Sequence, residues 1–141
     1  MKLIRSTFIF STLVILIVSC RTTKNADKIA EKSIGFGSGG GFTGQVIEYV
    51  IDGNGIFLKN DKLKSEISVL PNLKPSETRK LFKQLQTMQF DTIHFNHPGN
   101  MYYYIRLTES NNTHEVIWGD PNHSPPGKVL QFYQLLISKT I

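Results

Sequence analysis

The side chains best suited to catalysis or metal binding are four histidines, His94, His97, His114 and His123, with Asp91 and Asp120 near them in sequence. Imidazole nitrogens and carboxylate oxygens are common ligands of zinc-class ions. Histidine is also the usual general acid or base near neutral pH. His94 and His97 precede a Pro98-Gly99 turn and His123 follows in the next loop. These three form the candidate metal-binding or catalytic set, the mark of a small extracytoplasmic enzyme or metal-binding domain. Their spacing matches no standard zinc motif, and ordinary turn roles account for His94 near a strand end and His97 before proline. Ser38 and Ser124 lack the strand–turn–helix setting of a nucleophile elbow. The expectation is therefore no enzyme activity, no metal and no cofactor.

One cysteine, Cys20, rules out an intramolecular disulfide scaffold and a multi-cysteine metal site. Lys2 and Arg5 open the chain, Phe8 to Val18 follow without a charge, and Ser19-Cys20 precede an abruptly polar stretch from Arg21. The apolar run is too short to span a bilayer and fits the h-region of a signal peptide. In this order the features resemble the lipobox of bacterial lipoproteins. The resemblance implies cleavage before Cys20 and a diacylglyceryl group on its thiol. Acyl chains contribute about 0.8 kcal/mol per buried CH₂, and two chains anchor firmly where one does not. It implies membrane lipid as a partner and an extracytoplasmic place in the cell envelope, with inner and outer membrane both open. Cleavage takes Lys2 and Arg5 from the formal +5, leaving 122 of the 141 residues with 14 basic and 11 acidic side chains. So mild an excess, with no basic run, speaks against nucleic-acid binding.

Six of the 11 glycines fall between residues 35 and 44, Gly-Phe-Gly-Ser-Gly-Gly-Gly-Phe-Thr-Gly. The window matches G-x-G-x-x-G twice, at Gly35, Gly37, Gly40 and at Gly39, Gly41, Gly44. A dinucleotide fingerprint needs a strand before and a helix after. Here a polar stretch precedes and a strand follows, so the window reads as an ordered glycine-rich approach to the first strand.

The remaining elements must carry these groups. Gln45 to Ile51 is rich in β-branched residues, Asp52-Gly53-Asn54-Gly55 is a turn, and Ile56 to Lys59 closes a hairpin. Glu66 to Leu70 is a further short strand. Ser76 to Met88 has helical period through Leu81, Leu85 and Met88. Met101 to Thr108 and Thr113 to Trp118 form a second hairpin. Met101, Tyr103, Ile105 and Leu107 make the core face of its first strand, which leaves Tyr49 and Tyr102 or Tyr104 to reach solvent. Gly127 to Ser138 forms the last helix, with Val129, Leu130, Tyr133, Leu136 and Ile137 inward. The class is α+β, a small antiparallel sheet of β-hairpins against two amphipathic helices. Residues 1–19 read as signal peptide, 20–34 as a polar tether with a short helix possible around Asp27 to Lys32, and 35–141 as one domain.

Gly40-Gly41-Phe42-Thr43-Gly44 resembles the glycine–phenylalanine signature of the emfourins, small protein inhibitors of thermolysin-like metallopeptidases. The order of the following elements is similar too: a helix, an aromatic residue after it (Phe90), a tyrosine-bearing strand, a partner strand and a proline-led final helix. The resemblance implies a non-enzymatic protein-interaction domain, with Gly40, Gly41, Phe42, Thr43 and Gly44 as partner contacts.

Overall fold

The computed structural model describes residues 31–141. The signal peptide, Cys20, and the tether and short-helix readings up to residue 30 lie outside the described residues. Among the described residues, seven strands form one sheet: β1 (Lys32–Gly40), β2 (Gln45–Asp52), β3 (Phe57–Asp61), β4 (Glu66–Leu70), β5 (Asn96–His97), β6 (Met101–Glu109) and β7 (Asn112–Trp118). Helix α1 (Pro75–Thr87) lies between β4 and β5, and α2 (Gly127–Ile137) ends the fold. The strand order is β4-β3-β2-β1-β6-β7-β5, antiparallel throughout except for the parallel β5–β7 pair. The fold is α+β with two helices on the sheet, as the residue pattern predicts.

The glycine window is not an approach to the first strand but is itself the central strand. β1 begins at Lys32, so residues 32–34 belong to the sheet and not to a tether. Alternation explains how so many glycines can occupy a strand. Ile34 and Phe36 point into the core, whereas Gly35, Gly37 and Gly39 line the opposite face. Phe36 stacks on Tyr49 at 5.3 Å, so Tyr49 packs against the core while staying partly open to solvent.

One core joins Ile34, Phe36, Ile51, Phe57, Ile105 and Val116 of the sheet to both helices. Pro75 occupies the first turn of α1, where its missing N–H costs nothing. The helix buries Thr78, Leu81 and Leu85. In α2 the buried set is Val129, Phe132, Tyr133 and Leu136, an i, i+3, i+4, i+7 stripe. Phe132, absent from the expected inward set, is fully buried. Leu130 and Ile137, expected inward, are only partly buried at its edges. Two polar bonds hold α2 in place: Lys128 Nζ donates to Met88 O at 2.8 Å, and Tyr133 Oη donates to Gly37 O at 3.1 Å. Among the described residues no helix is long and apolar enough to cross a membrane.

Candidate functional site

Three loops meet at the end of the sheet where β1 stops. The first is the β1–β2 turn. Gly40, Gly41 and Gly44 have φ of 95°, 72° and 62°, a region in which a side chain is strained. The turn is closed by Gly44 N–H donating to Gly41 O at 3.2 Å. This backbone leaves Phe42 fully exposed at the tip, with Thr43 and Gly44 exposed beside it. An aromatic ring held away from every core contact gains nothing for the fold.

The second loop is the 97–101 turn. Gly41 N–H donates to Asn100 O at 2.8 Å, and a Cβ on Gly40 would lie 2.1 Å from that same carbonyl. Glycine is therefore required where the two turns touch. Met101 is exposed next to Gly41. The third loop follows β7. A Cβ on Gly99 would meet Gly119 O at 2.3 Å, and Asp120 N–H donates to His97 O at 3.0 Å. The three loops thus form one surface.

This packing sorts the histidines. His97 and His123 stack with ring centroids 4.2 Å apart and planes 8° apart. Asp120 joins them, its Oδ2 2.8 Å from His123 Nδ1. One ligand atom from each of His97, Asp120 and His123 lies within 4.8 Å of the others. The Asn122 N–H and the His123 ring hold the Asp120 carboxyl below the usual carboxylate range. His94 is not part of this group. It lies against His114 at 5.5 Å, and His114 Nε2 is 3.0 Å from Ile93 O with its ring edge-on to Phe90. The expected trio of His94, His97 and His123 is corrected to His97, Asp120 and His123. His94 lies before β5 and packs on His114 of β7, whereas His97 is in β5 and packs on His123 of the loop after β7. Asp120 was visible in the sequence, but only the parallel β5–β7 pairing brings it to His97.

The tyrosine expectation also changes. Tyr103, on the core-facing side, is the exposed one, at the edge of a cluster with Trp118 and Tyr133. Tyr104 is buried on the other face. The glycines of β1 explain this. With no side chain at Gly35 and Gly37, Arg106 reaches across the central strand to Glu48, its Nη1 donating at 2.8 Å. Its Nε donates to Glu115 at 2.7 Å, and its Cζ lies 5.2 Å over the Tyr104 ring. Burial disfavours the Arg106 charge, but Glu115 and Glu48 outweigh it and raise its pKa. Burial, then the Glu48 charge, pushes the Tyr104 hydroxyl far above the usual tyrosine range, and that hydroxyl has no hydrogen-bond partner among the described residues. Beside this network is a shallow hollow of about 300 Å³ bordered by Val46, Lys62, Tyr102 and Ile117. A larger groove of about 710 Å³ runs between α1 and the opposite end of β1, past Lys32, Arg79, Phe82 and Glu109.

No protein-family model matches this chain, and no curated protein matches it.

Proposed function

We propose that this chain is a lipid-anchored, non-enzymatic interaction domain of the bacterial cell envelope, and that it blocks a thermolysin-like metallopeptidase by docking its β1–β2 tip. The observation that carries this reading is Phe42, fully exposed on a glycine turn that is braced against Asn100. A braced turn loses little conformational freedom on binding, so burial of the ring translates more fully into affinity. The flanking glycines let the partner's surface approach the backbone closely. Nine extended residues of β1 separate its start at Lys32 from the tip by about 27 Å.

The test is titration of the protein against a panel of thermolysin-like peptidases. Inhibition is expected, and Phe42→Ala should weaken it about tenfold or more, from loss of roughly 1.5–3 kcal/mol of apolar burial. No inhibition by the unmodified protein across the panel would overturn the peptidase reading. Inhibition that Phe42→Ala leaves intact would overturn the role of the tip.

A further inference from the structure

We propose that His97, Asp120 and His123 form a surface site for one divalent transition-metal ion of the zinc class. This goes beyond the docking function and does not depend on it.

The donor set selects the ion. Two imidazoles and one carboxylate suit zinc, nickel or copper. Calcium needs six or more oxygen ligands, and Asp120 is the only oxygen donor of the three. Three protein ligands leave a fourth position for water, as in open zinc sites.

The geometry is close to what such an ion requires. A tetrahedral zinc with bonds of about 2.0–2.1 Å needs donors about 3.3 Å apart. The three donors lie within 4.8 Å of one another, and the hydrogen-bonded His123–Asp120 pair at 2.8 Å opens by about 0.5 Å and releases its shared proton to solvent as the ion enters. The imidazole planes are nearly parallel, so the two rings must tilt toward a shared ion. Rotation about χ2 supplies that tilt, because this torsion is broad for histidine.

The supports are in place. Asp120 Oδ1 accepts from Asn122 N–H at 2.9 Å, which orients the carboxylate and turns Oδ2 toward His123, where the ion would replace their hydrogen bond. The Asp120 N–H bond to His97 O fixes the loop against β5. Phe95 packs on the His97 ring at 4.7 Å. The histidine-ring hydrogen bonds among the described residues belong to His114 and His123, so the His97 nitrogens stay available. His97 and Asp120 are half-buried and His123 is exposed, so an ion can enter from solvent. The site adjoins the Phe42 tip through the 97–101 turn, which would place a cation with an open position at the docking end of the molecule.

The test uses the full-length, untagged, metal-stripped chain with zinc alone by calorimetry and cobalt alone by visible absorption. One ion per chain and cobalt bands of a low-coordinate site are expected. His97→Ala and His123→Ala should each weaken binding at least about tenfold. Asp120→Asn keeps an acceptor for the Asn122 amide and should weaken it too, which separates ligand loss from misfolding. His94→Ala and Cys20→Ala should leave binding unchanged. Absence of stoichiometric binding would overturn the proposal, as would binding that survives both His97→Ala and His123→Ala, or that disappears with His94→Ala.

Discussion

Three glycines of the central strand do different jobs although they alternate evenly along it. A Cβ on Gly37 would lie 2.0 Å from Ile47 O, a backbone atom that cannot yield without moving β2. A Cβ on Gly39 would meet the Tyr102 hydroxyl at 2.5 Å, so there the ring of the neighbouring strand covers the glycine. A Cβ on Gly35 would find its nearest atom, Arg106 Cβ, at 3.5 Å, an ordinary contact. Gly37→Ala should therefore destabilise the fold by about 1–3 kcal/mol, as overpacking does. Gly35→Ala should stay within about 0.5 kcal/mol, the range of substitutions that break nothing. Urea unfolding of the two variants decides the matter, and equal losses would show that the close approach at Gly37 is not what demands glycine. The number of glycines is plain in the sequence. Their separate reasons are not, because each depends on an atom from β2 or β6.

Between elements, the helices are tied to each other and to the sheet by a few polar contacts around an apolar stripe. Lys128 Nζ satisfies Met88 O at the end of α1, a carbonyl the helix itself leaves unpaired. At the other end of α1, the Lys139 side chain donates to Glu77 Oε1 at 3.1 Å, and Lys74 N–H bonds the same carboxylate. Lys139 first, and the Lys74 amide second, hold the Glu77 carboxyl below the usual carboxylate range. A carboxyl lowered in the folded state adds stability above its unfolded pKa and loses it as pH falls through the folded one. The pair is partly open to solvent, which screens it, so the contribution is small. Lys139→Met should move the Glu77 titration up toward the ordinary range, followed by NMR of its side-chain carboxyl. An unmoved midpoint would show that the contact between α1 and the tail of α2 is not made in solution. The helices themselves were legible from the spacing of Leu81, Leu85 and Met88 and of Val129, Tyr133 and Leu136. Phe132 was not, since its inward direction depends on how α2 is rotated against the sheet.

For the whole molecule, polarity along β1 is the organising fact. Its first residue, Lys32, lies beside Glu109, to which Lys32 Nζ donates at 2.6 Å, and its last runs into the exposed tip. Cys20, the proposed lipidation site, precedes the Lys32 end in sequence, and Phe42 and the His97–Asp120–His123 group lie at the opposite end of β1. Cys20→Ala should then shift the protein from the membrane fraction to the soluble fraction. Intact-mass measurement should show the acyl mass on the unmodified chain only. Membrane retention in the variant, with no acyl mass on the parent, would refute lipidation.

The sequence by itself determined the α+β class, both helices and the two hairpins at residues 45–59 and 101–118. These follow from local spacing and turn chemistry, which short windows of chain carry. Three things were decided only by tertiary structure: the glycine window as the middle of the sheet, the burial of Tyr104, and the exchange of His94 for Asp120. Each depends on which strands become neighbours. β1 pairs with β6 across more than sixty residues of chain, and β5 pairs in parallel with β7. Pairings of that kind are set by the closing of one shared core around Ile34, Phe36, Ile105 and Val116, and no local pattern records them.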